Sequence, residues 1–239
     1  MDEEMNEQEN TLNKPNLLLM LTHPIENFKR MRQSPNWLVP LLILIVISII
    51  VSVLAVQLVT SGQFLDAELG MIFEGDPTIT DEWAQEIFWF TAIIAVITTL
   101  VSVPLMMAIS ALIYFAIGKI LKTKADFIHY FSLSIYVSVI GVLGGIIHLI
   151  YNALVPKTPP DFAFTSLQAL LQVDGPMQVV FTSISIFSVW QLIITAIGLQ
   201  IVGLYSKRAA WITVIVMFIL SILMGVFSFA ISEFTNNLS

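Results

Sequence analysis

Apolar residues gather into five stretches, at 37–59, 87–118, 127–155, 177–205 and 209–231, and no Asp, Glu, Lys or Arg falls inside any of them. Each is long enough to supply the roughly 20 residues a helix needs to cross about 30 Å of hydrocarbon. The pattern predicts an all-α polytopic membrane protein with five transmembrane helices. The polar connections alternate in charge. Lys14, Lys29, Arg30 and Arg32 precede the first stretch, Lys119, Lys122 and Lys124 separate the second from the third, and Lys207 and Arg208 separate the fourth from the fifth. The other connections hold only Lys157. Segments rich in Lys and Arg stay cytoplasmic, so the amino terminus is expected inside and the carboxyl terminus outside.

The flanking segments divide the rest of the chain. Residues 1–16 are acidic and lack periodicity, as a disordered cytoplasmic tail would be. Residues 17–36 read as an amphipathic interfacial segment. Its Leu17 to Leu21 run is too short to span, and Pro24 suits a first helical turn because its missing N–H is not needed there. Ile25, Phe28 and Met31 share a face, and Lys29, Arg30 and Arg32 lie around the other side. Such a helix lies in the headgroup layer or offers a cytoplasmic docking surface at Phe28, Lys29, Arg30 and Arg32. Residues 37–232 form the five-helix domain, and 233–239 a short outer tail.

The second stretch exceeds the bilayer. Its 32 residues make a helix of roughly 48 Å at 1.5 Å per residue, and Pro104 inside it predicts a kink that absorbs the excess. The outer connection at 60–86 carries seven acids and the turn-like Glu74-Gly75-Asp76-Pro77, without the spacing of a calcium loop. In the other, Phe164, Leu167, Leu170 and Leu171 predict a short helix on the outer leaflet. Tyr130, Tyr205, Trp211 and Trp37 at inner span ends, with Trp89 and Tyr151 at outer ones, are placed as interfacial belts.

Small and weakly polar residues form stripes. In the third stretch Ser134, Ser138, Gly141, Gly145, His148 and Asn152 recur at spacings of three and four, which holds them on one face. Gly141 and Gly145 make a G-x-x-x-G pair that lets a second backbone approach. Ser221, Gly225 and Ser228, continued by Ser232, repeat the pattern in the fifth. Thr91, Ala95, Thr98 and Ser102 do so in the second, and Ser188, Gln191, Thr195 and Gly198 in the fourth; Ser48, Ser52 and Ala55 form a weaker stripe in the first. The stripes predict helix-packing or partner faces. A polar permeation path is the competing reading.

Composition narrows the chemistry. Hydrophobic residues make up 57% of 239 positions and charged residues 11%, too few charges to coat a soluble globule of this size. The net charge of −7 gives no basis for a nucleic-acid partner. The chain has no cysteine, which removes disulfide, thiolate-metal and palmitoylation chemistry. Ion-coupled transporters place ionisable groups inside their spans. Here His148 is the deeply placed candidate, and it suits a hydrogen bond between helices better than a ligand or base. There is no H-E-x-x-H, G-x-S-x-G, P-loop or Rossmann pattern. No catalytic, cofactor or metal site is expected, and the lipid bilayer and other membrane proteins, or a second copy of the chain, are the expected partners.

The segment Pro24-Ile25-Glu26-Asn27-Phe28, the run Pro35-Asn36-Trp37-Leu38-Val39-Pro40, the start of the third stretch from Tyr130 to Tyr136, and the Trp190 to Gly203 stretch followed by Ser206-Lys207-Arg208-Ala209 resemble the bacterial branch of the Yip (Ypt-interacting protein) family of five-span membrane proteins. The likeness runs from about Pro15 to Ile231. It implies no catalytic residues. The eukaryotic branch is linked to Rab-type GTPases and Golgi traffic, which gives a trafficking adaptor as one alternative; the tail here is short and lacks a D-L-Y-G-P motif. The acidic tail and the Lys14-Pro15-Asn16 sequence are closer to Bacillus members associated with an ABC-type exporter that protects cells from a secreted toxic peptide. That resemblance implies an accessory or assembly subunit in a bacterial cell membrane, with a passive small-solute permease or channel as the alternative from another class.

Overall fold

The computed structural model describes residues 14–60, 81–155, 164–171, 173 and 175–236. Among these residues the chain is helical: α1 (Leu17–Thr22), α2 (Pro24–Gln33), α3 (Leu38–Thr60), α4 (Asp81–Ile120), α5 (Phe127–Leu154), α6 (Gln168–Leu171), α7 (Pro176–Ser183), α8 (Ile186–Ile201) and α9 (Lys207–Asn236). The one pairing of extended backbone among them is an isolated bridge between Ser166 and Ser185. Four helices of this set are long and apolar enough to cross a membrane, at Leu38–Thr60, Gln85–Ile120, Phe127–Leu154 and Lys207–Thr235, while Ile186–Ile201 is a shorter apolar helix. Helices of this length and composition place the chain in contact with the bilayer.

The fourth apolar stretch is not one helix. It breaks between α7 and α8, at Ile184 and Ser185, because a run of hydroxyl side chains turns inward on its own backbone. Ser183 donates to the Val179 carbonyl at 2.7 Å. Ser185 and Ser188 form a reciprocal capping box, with the Ser188 amide donating to the Ser185 hydroxyl oxygen at 3.0 Å and the Ser185 amide to the Ser188 oxygen at 2.8 Å. Backbone groups freed by the break are not left bare, which hydrocarbon would penalise heavily. Leu167 donates to the Ile184 carbonyl and Ile186 to the Thr165 carbonyl, and the Thr182 hydroxyl donates to Gln168 at 2.9 Å.

Residues 164–171 therefore brace the broken helix. Their helix is one turn, Gln168–Leu171, shorter than the spacing of the apolar residues predicts. Leu170 and Leu171 are exposed, whereas Phe164 stacks on Tyr151 with ring centroids 4.1 Å apart. By contrast, α4 runs unbroken through Pro104. The turn at Glu74 to Pro77 lies outside the described residues.

Buried residues collect at the end of the bundle that carries the Lys and Arg clusters. Met20, Phe28, Met31, Tyr130, Leu133, Tyr136, Ile140, Leu199 and Val202 form its centre, and a second cluster joins Leu41, Leu44 and Ile45 to Met107 and Ile135. This placement corrects the reading of residues 17–36. Phe28 and Met31 are fully buried and Ile25 is exposed, so α2 is inserted among α5 and α8 rather than laid on lipid, and Phe28 is core rather than docking surface. Lys29 and Arg32 remain exposed, and Arg30 pairs with Glu26 in the same helix. Order begins before residue 17 as well. Pro15 is buried and its carbonyl accepts the Tyr136 hydroxyl at 2.9 Å, while Asn16 caps α1 and donates its amide to the Asn27 side chain.

Candidate functional site

The face of α5 that packs against α8 is Tyr130, Leu133, Val137, Ile140 and Gly144. The first four are buried, at 0–3% exposure, and Gly144 meets the Phe187 side chain. A Cβ on Gly144 would lie 2.9 Å from the Phe187 ring, and one on Gly198 would lie 2.3 Å from Leu133. Close packing, the main source of helix association in lipid, therefore falls one position away from the small-residue stripe. One residue is 100° of helix rotation. Among the described residues the G-x-x-x-G pair seats no second backbone of this chain: nothing lies within 4 Å of a Cβ on Gly145, and the neighbour of Gly141 is the Gln191 side chain at 3.4 Å.

The stripe instead divides by depth. Ser134, Ser138 and Gly141 line a cavity of about 380 Å³, with Ser48 from α3, Ser102 and Ser110 from α4, and Gln191 and Thr195 from α8. Farther from the basic end, His148 pairs with Asn152 one turn along, at 3.2 Å, and Phe164 stacks above His148 at 6.5 Å. His148 thus serves to seat the 164–171 segment.

Several cavity hydroxyls return to carbonyls of their own helices, Ser138 to Ile135, Ser110 to Met106 and Thr195 to Gln191, at 2.7–2.9 Å. Their remaining lone pairs are available to an occupant. The Ser134 oxygen is buried and has no hydrogen-bond partner among the described residues. No Asp, Glu, Lys, Arg or His lines the cavity, and among the described residues no three His, Asp or Glu side chains converge to hold a metal. Such a lining solvates a neutral polar group and offers no counter-charge to an ion.

A second cavity of about 380 Å³ adjoins the first through Ser110, Tyr114, Gln191 and Thr195, and its far wall is α9, with Val214, Met217, Phe218 and Ser221. Nearer the basic end, Ala111, Ala210 and Val214 share the core. Beyond them α4 and α9 part to leave a seam. Packing of α9 is on α7 and α8, and a Cβ on Gly225 would lie 3.0 Å from Val179. Ser221 and Ser228 are exposed.

At the basic end, Tyr130 and Tyr205 act as braces, not as an interfacial belt. Both are buried, at 0% and 5% exposure. Tyr130 donates to the Gly203 carbonyl at 3.1 Å and pairs with the Thr123 hydroxyl at 2.9 Å, and Tyr205 donates to the Tyr114 carbonyl. Trp37 packs on Phe131 at 5.5 Å, and Trp89 is exposed.

The sequence stripes omit Gly144, Ser110, Tyr114 and Asn27. Continuing Tyr130, Leu133, Val137 and Ile140 at the same spacing reaches Gly144, and Asn27 stands four residues before Met31 on the buried face of α2; both signals are periodic. Ser110 and Tyr114 carry no such mark.

Comparison with known proteins gives the same assignment as the pattern of the chain. The Yip1 domain model matches residues 18–228. The chain is 29% identical over 220 residues to "Membrane protein YknW" of Bacillus subtilis (strain 168), covering 90% of each protein. No solved structure matches. With the match running from α1 well into α9, the chain belongs to the Yip1-domain family of membrane proteins.

Proposed function

We propose that this chain is a non-enzymatic integral membrane subunit that binds, or helps to assemble, a second membrane complex through the seam between α4 and α9. The observation that carries this reading is the seam itself, where Ser110, Ser188, Gln191 and Ser221 stand around a gap between two helices whose outer halves are largely exposed. Lipid tails cannot hydrogen-bond, so a helix presenting small or hydroxyl residues is the better partner for such a surface. In this reading α7 and α8 together complete a fifth crossing, the amino terminus is cytoplasmic, the carboxyl terminus is outside, and the membrane is a bacterial plasma membrane. The partner complex is an ABC-type exporter that protects the cell from a toxic peptide, by resemblance to the Bacillus proteins with a similar acidic tail and lead-in.

Gentle detergent extraction from the native host, followed by affinity purification and mass spectrometry, tests this reading. Exporter subunits should co-purify in fixed proportion. Recovery of the chain alone would contradict it.

A second reading rests on the uncharged cavity around Ser102, Ser138 and Gln191, which fits a passive path for a small neutral solute. Liposomes containing the purified chain would then take up such solutes, and Ser138→Leu would block uptake. Liposomes that stay as tight as protein-free controls would exclude it.

A further inference from the structure

A trough of about 700 Å³ runs along the opposite side of the bundle, within the range of roughly 300–1,000 Å³ typical of ligand pockets. Its walls are Val39, Ile43 and Ile47 of α3 and Val139, Leu143 and Ile146 of α5. Steps of three and four residues keep each set on one helix face. From Val39 to Ile47 the trough extends roughly 12 Å at 1.5 Å per residue, close to the ~15 Å depth of one leaflet's hydrocarbon. Val39 is 56% and Ile43 43% exposed, so it opens sideways to the bilayer. At its basic end the lining becomes polar, with Lys14, Arg30 and Asn36. Among the described residues no acid lines it or pairs with Lys14, and Glu26 pairs with Arg30 from outside the lining.

We infer that this trough binds one anionic phospholipid, with an acyl chain along α3 and α5 and its phosphate between Lys14 and Arg30. An apolar slot of leaflet depth suits any lipid tail. The cations at its interfacial mouth select the headgroup, because charge-assisted bonds to phosphate are about twice as strong as neutral ones and long basic side chains reach the headgroup layer readily. Arg30, paired with Glu26, adds a cation at the mouth, and Lys14 supplies the point charge. The inference is independent of the seam between α4 and α9, which lies on other helices.

Native mass spectrometry of the delipidated full chain, titrated with palmitoyl-oleoyl phosphatidylglycerol or the matching phosphatidylcholine, tests it. One phosphatidylglycerol should be retained per chain, at least tenfold more tightly than phosphatidylcholine. Lys14→Gln, at an exposed position, should reduce that preference several-fold. Ile43→Trp and Val39→Trp, each filling the trough from an exposed position, should abolish retention, whereas Leu223→Trp on α9 should leave it unchanged. Equal retention of the two lipids by the wild-type chain would overturn the inference, as would undiminished phosphatidylglycerol binding by both trough-filling variants. Disulfide crosslinking of Ile43→Cys chains to one another in membranes, with no lipid retained, would identify the occupant as a second copy and also overturn it.

Discussion

The Tyr130 hydroxyl donates to the Gly203 carbonyl at 3.1 Å and meets the Thr123 hydroxyl at 2.9 Å, so one side chain in the first turn of α5 fastens two connections at the basic end, α4 to α5 and α8 to α9. Each connection needs the help. Lys122 has φ 58° and Leu204 φ 60°, left-handed conformations that cost a residue with a Cβ of order 1–2 kcal/mol. The α4 terminus closes on Lys122, with Thr123 donating to the Gly118 carbonyl at 2.9 Å and Lys122 to the Lys119 carbonyl at 3.1 Å, a pattern that glycine usually completes.

Gly118 and Tyr130 should therefore be coupled energetically. A Cβ at residue 118 would lie 2.3 Å from the Tyr130 oxygen. Gly118→Ala should lower the melting temperature in detergent, as should Tyr130→Phe, which removes bonds worth about 0.5–1.5 kcal/mol each. The double variant should be more stable than the sum of the two losses implies, because removing the hydroxyl clears space for the methyl. Strict additivity in a double-mutant cycle would show that the two do not share a site.

Gly144 and Gly145 are adjacent, yet substitutions should separate them. Gly144→Leu drives a side chain into Phe187, and overpacking of that kind costs typically 1–3 kcal/mol in soluble cores. Gly145→Leu enters open space and should melt within a degree or two of the wild type. Equal losses from both variants would mean that α5 is rotated relative to this arrangement.

The difference between these glycines also marks how far the sequence can be read. Uncharged runs and alternating basic clusters are properties of single segments facing one solvent, and they anticipate α3, α4, α5 and α9 to within a few residues apart from the extended amino-terminal end of α4. Which face of α5 meets α8 depends on two helices at once. Small residues on 134, 138, 141 and 145 serve equally for close packing or for lining a gap, and only the large residues on the neighbouring face, Leu133 and Ile140, decide between them. The break at Ser185 was hidden for a related reason. Hydroxyl residues are tolerated within spans, and the bridge from Leu167 that satisfies the Ile184 carbonyl comes from a separate segment. Likewise Phe28 and Met31 read as lipid-facing because α2 is amphipathic, and an amphipathic helix suits a protein groove as well as a bilayer surface.

Ser185 holds the amino terminus of α8 through its capping box. Ser185→Ala should cost about 0.5–2 kcal/mol, as loss of a cap does, and should speed hydrogen exchange at Phe187 and Ser188 more than at Ile194. Unchanged exchange at α8's first turn would argue that α7 and α8 join as one helix.

Topology is open to labelling because the chain has no cysteine. Single cysteines at Ser206 and Thr235, both at exposed positions near opposite ends of α9, should differ in intact cells. An impermeant maleimide should modify Thr235→Cys and spare Ser206→Cys until the cells are opened. The reverse order would invert the orientation.

The seam between α4 and α9 is the surface on which the proposed role stands, and site-specific photocrosslinking in native membranes probes it directly. A photoreactive residue at Ser221, which lines the seam, should yield adducts with a membrane subunit of the exporter. The same residue at Leu223, exposed and about 200° around the helix, should yield lipid adducts alone. Lipid adducts alone at Ser221 as well, in cells where the exporter is present, would contradict the account.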